Sequence, residues 1–136
     1  MKRVVITGMG VVAPGGVGVK SFWELLTAGR TATRDITLFD AAPFRSRIAA
    51  EADFDPAEHG FGPAEAERLD RAAQFALVAA REALADSGVD ETPDPLRTGV
   101  SLGSAVGCTT GLDTEYAVVS DHGRDWTVDH TRAVAH

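Results

Sequence analysis

The segment GSAVGCTTGLD, residues 103–113, holds the only cysteine of the chain, Cys108, among small residues where a strand pattern gives way to a helix pattern. Backbone N–H groups at a helix N-terminus stabilise a thiolate and lower its pKa, so this is a place where a nucleophilic thiol could work. A second candidate is GMGVVA, residues 8–13, in which Gly8, Gly10 and Ala13 fit the dinucleotide fingerprint G-x-G-x-x-G/A directly after an apolar run. That motif needs its third small residue inside a helix whose N-terminus faces a pyrophosphate. Pro14, Gly15 and Gly16 would break such a helix at once, and the acidic residue required further on has only Asp35, in a loop pattern, to supply it. A tight turn with close backbone packing is therefore the favoured reading of these glycines.

Other titratable groups give less. His59, His122, His130 and His136 lack any metal-ligand spacing, so no metal is expected. Glu51, Asp53 and Asp55 alternate along one side of a short strand pattern, and nothing around them promises the desolvation a general acid needs; a solvated edge is expected. Asp70 and Arg71 fall in the middle of an apolar helix pattern, which points to a structural ion-pair role.

The elements that must position these groups read as α/β. Residues 3–6 are continuous and largely β-branched, as in a strand buried on both faces of a parallel or mixed sheet. Ser21 and Glu24 form an S-x-x-E capping box for a short helix that stops at Gly29. Residues 30–44 read as a surface excursion, and residues 47–54 as a short strand. The strongest pattern, PAEAERLDRAAQFALVAAREALADSG, predicts one helix from Pro63 to the stop at Gly88. Its alanines would let neighbouring backbones come close, and it would be buried nearly all round. A second core strand is expected in TGVSLGSAVG, followed by helical LDTEYAVVSD. The chain reaches His136 without a stop signal, as expected of a sequence that continues.

With 136 residues, 44% hydrophobic and 24% charged, this is the composition of one soluble globular domain. A net charge of −7 argues against a nucleic-acid binder, which would need a basic face, and disfavours anionic membranes. No apolar run reaches the roughly 20 residues of a membrane span. One cysteine rules out an internal disulfide, and a cytoplasmic location is expected.

Five segments together resemble the start of a β-ketoacyl-[acyl carrier protein] synthase of the thiolase-like fold: RVVITGMGVVAPGG, FWELLTAGRTATRDITLFD, FRSRIAAEADFDP, LDRAAQFALVAAREAL and GVSLGSAVG. The resemblance is closest to the ketosynthase-alpha subunits of type II aromatic polyketide synthases, and it runs in order through residues 1–136. It implies the truncated N-terminal portion of a layered α-β-α-β-α domain. The whole enzyme would elongate an acyl chain by decarboxylative Claisen condensation with malonyl-acyl carrier protein, with no cofactor. Its partners would be acyl carrier protein and a second subunit, either a copy of itself or a chain-length factor.

The resemblance also changes the reading of Cys108. GCTTGLD is similar to the family's nucleophile loop, but it follows GVSLGSAV directly, whereas in the family a long stretch separates that strand from the nucleophile. The nucleophile and the two catalytic histidines are thus expected beyond this chain, and Cys108 is expected to be a buried, inert thiol. By position, Val106 would instead be an apolar gate beside the acyl tunnel, and Gly107 would permit close approach. The alternatives are a non-catalytic subunit of chain-length-factor type or a small dinucleotide-binding domain.

Overall fold

The structure is a computed structural model, which describes residues 3–89, 94–107, 109, 111–113 and 116–117. The chain divides into two compact units, one of Met1–Asp55 with Leu77–Val89 and the other of Pro56–Ala76 with Asp90–His136.

In the first unit, strands β1 (Val12–Ala13) and β2 (Gly16–Val17) pair antiparallel, Val12 opposite Val17 and Ala13 opposite Gly16. Between them Pro14 presets φ and Gly15 takes φ +91°, the residue pair that a type II turn demands. The Gly18 N–H closes the hairpin on the Val11 carbonyl at 2.8 Å. Helix α1 (Val19–Thr27) follows directly and ends at Ala28. Gly29, at φ +63°, donates its N–H to the Leu26 carbonyl, and Arg30 donates to Leu25. These two bonds make a Schellman cap, with the glycine where the stop is expected.

The other end of α1 departs from expectation. Ser21 lies inside the helix, so Ser21 and Glu24 form no capping box; Gly18, at φ +96°, is the N-cap and has no side chain to offer. The helix starts early because a distant carboxylate, that of Glu82, takes its first N–H.

Strands β3 (Thr33–Asp35) and β4 (Ile48–Ala50) form a second antiparallel pair, with Arg34 opposite Ala49. The strand expected in residues 47–54 is therefore present, while the expected excursion over residues 30–44 contributes its partner.

In the second unit a 3₁₀ turn (Pro56–His59) packs against α2 (Pro63–Arg68); α3 (Arg71–Ser87) begins in this unit, and its residues from Leu77 on belong to the first. The single helix expected from Pro63 to Gly88 is thus two helices. Leu69 is extended (φ −90°, ψ 129°), and Asp70 Oδ1 accepts the Ala72 N–H at 2.9 Å, as an N-cap does. Asp70 thus caps a helix rather than lying inside one, and the Arg71 guanidinium lies 4.9 Å from the Phe75 ring centroid. The end of the pattern holds: Gly88 has φ +64°. The expected all-round burial does not, because Gln74 is the only buried residue of α3.

Neither expected core strand forms among the described residues. Residues 3–6 and 98–103 belong to no strand, and Val4 is 93% and Val100 95% exposed. A strand of that composition is stable with neighbours on both edges and cover on both faces, and the strands found among the described residues pair only as β1–β2 and β3–β4.

What replaces them as the organiser of the first unit is a close approach of backbones. Residues 8–10 lie against α3 so tightly that a Cβ on Gly10 would overlap the Ala79 carbonyl, and one on Gly8 the Ala83 carbonyl. The alanines of α3 permit this approach, as the sequence suggests. Gly10→Ala is therefore expected to destabilise the chain by about 1–3 kcal/mol, read as a lower denaturant midpoint. Gly99→Ala, with open space around its Cβ, should change it by no more than about 0.5 kcal/mol. Equal midpoints for the two variants would contradict the packing described.

Candidate functional site

Two carboxylates on one face of α3, Glu82 and Asp86, are spaced i, i+4 and reach the glycine-rich segment. Asp86 Oδ2 accepts the Met9 N–H at 3.0 Å. Glu82 Oε2 accepts the Val11 N–H at 2.9 Å, and Glu82 Oε1 accepts the Val19 N–H at 2.7 Å. One carboxylate thereby bridges both ends of the β1–β2 hairpin and satisfies an otherwise orphan donor at the start of α1.

This geometry decides the reading of GMGVVA. The Met9 and Val11 N–H groups, which would face a pyrophosphate, are already bound to carboxylates, and two acidic side chains stand where phosphate would have to enter. No helix begins at Ala13; it is a strand residue beside a turn. The segment is a tight turn with close backbone packing, as its glycines suggest. Sequence reasoning missed Glu82 and Asp86; their i, i+4 spacing was the available signal, but nothing in the chain alone tied them to residues 9–19.

A second polar cluster lies beside the β3–β4 pair. Glu51 is 8% exposed, and its carboxylate accepts the Thr37 hydroxyl at 2.7 Å, the Thr37 N–H at 3.0 Å and the Leu38 N–H at 3.1 Å. Arg34 Nε lies 3.6 Å from Glu51, and its guanidinium forms a two-pronged pair with exposed Asp53. The expected solvated edge is thus correct for Asp53 and wrong for Glu51. The Thr37 hydroxyl, followed by the backbone donors and Arg34, holds the Glu51 pKa below its ordinary value against the opposing effect of burial. Arg34 does the same for Asp53, and Asp53 raises Arg34. Every partner stabilises the ionised form, so this is a clamp and no general acid.

In the segment first singled out, Ser104 Oγ accepts the Gly107 N–H at 2.9 Å, and the Thr109 N–H reaches the Gly107 carbonyl at 3.1 Å. Gly107 adopts φ +64° with open space where a Cβ would stand, so backbone conformation is what asks for glycine here. Helical backbone follows at residues 111–113 and 116–117, where a helix is expected. Val106 is 71% exposed. Cys108, His122, His130 and His136 lie outside the described residues. Among the described residues no cluster of three His, Cys, Asp or Glu side chains could hold a metal, and no helix is long and apolar enough to cross a membrane.

With this geometry in hand, the class follows from comparison. A solved structure titled the ishigamide ketosynthase/chain length factor matches 88% of this chain and 30% of its own, with a TM-score of 0.71 at 31% identity. The family model described as Beta-ketoacyl synthase, N-terminal domain, matches residues 1–135, and the chain belongs to that family.

Among its relatives, the tetracenomycin polyketide synthase ketoacyl synthase alpha subunit of Streptomyces glaucescens is 66% identical over 98% of this chain and 32% of that protein. The actinorhodin polyketide putative beta-ketoacyl synthase 1 of Streptomyces coelicolor is 64% identical over 94% of the chain and 28% of the protein. The 3-oxoacyl-[acyl-carrier-protein] synthase 2 of Coxiella burnetii is 42% identical over 90% and 30%. The chain spans about a third of the length of these curated relatives. Its resemblance is to the alpha type, and the chain-length-factor alternative is not favoured.

Two measurements check the site. Titration with NADPH is expected to leave Tm unchanged, since a ligand that binds only the folded state must raise it; a concentration-dependent rise would reinstate the fingerprint. For Glu51, a lowered folded pKa means that its stabilisation is complete above the ordinary carboxylate range and is lost as pH falls through the lowered value. Glu51→Gln should flatten the acid limb of a plot of unfolding midpoint against pH, and an unchanged limb would show that the clamp is not coupled to folding.

Proposed function

We propose that this chain is the N-terminal part of a type II polyketide ketosynthase alpha subunit, within a layered α-β-α-β-α domain of thiolase-like fold. The observation that carries the reading is the continuous match to ketoacyl synthase alpha subunits, at 64–66% identity over 94–98% of the chain.

In the proposed reaction a cysteine thiolate of the complete protein attacks the thioester of an acyl-acyl carrier protein. The carrier thiol leaves, and the acyl group rests on the enzyme. Malonyl-acyl carrier protein then loses CO₂, and the electrons of the broken C–C bond form an enolate. The enolate carbon attacks the acyl carbonyl, the new C–C bond forms, and the enzyme thiolate departs. Two histidines would stabilise the negative charge that develops on the malonyl thioester oxygen.

That cysteine and both histidines are assigned to later parts of the protein, and the 136-residue chain alone is catalytically silent. By their position in the family resemblance, Val106 and Gly107 are assigned to the wall of the acyl tunnel in the complete domain. The partners are acyl carrier protein and a second ketosynthase-like subunit. The structure titled ketosynthase/chain length factor supports the latter. The setting is cytoplasmic polyketide antibiotic biosynthesis.

The test is a chimera in which residues 1–136 replace the corresponding part of the tetracenomycin alpha subunit. Assembled with its usual partner, the chimera should condense malonyl-acyl carrier protein, while residues 1–136 alone should show neither acyl transfer nor malonyl decarboxylation. A chimera that assembles but does not condense would overturn the alpha-subunit reading. Condensation by the 136-residue chain alone would return Cys108 to the role of nucleophile.

A further inference from the structure

The joint between α2 and α3 breaks a sequence that favours a single helix. Around it stand Arg68, Leu69, Arg71 and Ala72, all good helix formers, with no glycine or proline to force a stop. Yet Leu69 is extended, and α3 restarts at Arg71.

Two side chains supply what the break removes. In a continuous helix the Asp70 and Ala73 N–H groups would donate to the carbonyls of residues 66 and 69, four positions back. The side-chain amide of Gln74 takes those same two acceptors: its Nε2 donates to the Ala66 carbonyl at 2.8 Å and to the Leu69 carbonyl at 2.9 Å. Its two hydrogens thus replace two backbone donors. Asp70 Oδ1 meanwhile accepts the Ala72 N–H, which a continuous helix would send to the residue 68 carbonyl. Gln74 is 6% exposed, so its amide is buried with both donors used. Its own backbone N–H bonds to the Asp70 carbonyl at 3.0 Å, which anchors the side chain in the first turn of α3.

We propose that Gln74 is a latch that selects a bent α2–α3 joint over the continuous helix these residues would otherwise form. The bend is a property of one side chain and its N-cap partner, and the direction of Pro63–Arg68 against the start of α3 depends on it. The inference does not rest on the ketosynthase reading.

The experiment uses the whole chain. Gln74→Leu replaces the amide with an apolar side chain of good helical propensity that has no donors. With the latch gone, the Leu69 13Cα resonance should move downfield into the helical range, and the Asp70 amide should gain protection from hydrogen exchange. The double variant Asp70→Pro with Gln74→Leu should return the Leu69 13Cα resonance to the extended range. Proline removes the needed N–H, clashes with the carbonyl four residues back, and holds its predecessor in the extended conformation that Leu69 already has.

If Gln74→Leu loses its tertiary fold, recovery of the fold in the double variant supports the latch equally, since proline then enforces the bend without Gln74. A Leu69 resonance unmoved in a folded Gln74→Leu variant would overturn the proposal. So would a double variant that remains unfolded, or one that leaves Leu69 helical.

Discussion

The first unit depends on the approach of residues 8–10 to helix α3 at backbone distance. Carbonyls of α3 occupy the space where Cβ atoms of residues 8 and 10 would lie, so only glycine fits. That closeness is also what lets Glu82 and Asp86 reach main-chain donors on the far side of the turn. Glycine here serves contact more than flexibility, and the contact determines where the carboxylates end up. With Glu82 bound to both Val11 and Val19, the hairpin, its Pro14–Gly15 turn and the start of α1 are held from one point on α3. A residue 63 positions distant in sequence thus does the work of a local capping side chain.

Elsewhere the same division recurs: polar groups are closely matched while apolar side chains stay open. Glu51 collects three donors at the root of the segment that joins β3 to β4, yet Leu38, Phe39 and Phe44 in that segment are exposed. Phe39 and Phe44 make an edge-to-face pair, with ring centroids 5.7 Å apart, without being covered. Hydrogen bonds hold the local shape, and the gain from apolar burial is not collected by these residues. In this chain, then, hydrogen-bonding detail gives local form, while the hydrophobic pattern of residues 3–6 and 98–103 refers to neighbours that the four short strands do not provide.

That division explains what could be read from the sequence. Features governed by a few adjacent residues were legible: the glycine stops at Gly29 and Gly88, Pro63 at the start of α2, the strand around residue 48, and the packing role of Gly8 and Gly10. Features governed by a distant partner were not. Ser21 and Glu24 spell a capping box, but Glu82 moved the helix start. Between residues 68 and 72 only Asp70 interrupts helical propensity, and a glutamine amide further along made the break favourable. Glu51 looked like the solvated edge that Asp53 is, because period-two alternation assigns a face and cannot say that Thr37 and Arg34 will cover it. The core strands were legible as pattern, since β-branched runs need no partner to be recognised, but a strand exists only in a ladder.

The two short motifs illustrate the same constraint on function. GMGVVA carries the glycines of a dinucleotide site, and it fails as one because the donors those glycines expose are consumed by carboxylates of the same chain. GCTTGLD carries the residue types of a nucleophile loop, and residue types alone do not make it one. In both, small residues that permit close approach are common to many sites, so they identify none. The discriminating information is what fills the space they open: an anion-binding cradle requires free N–H groups and no competing negative charge. Residues 9 and 11, bound to Asp86 and Glu82, meet neither condition, and the glycines beside them are contacts between a turn and a helix.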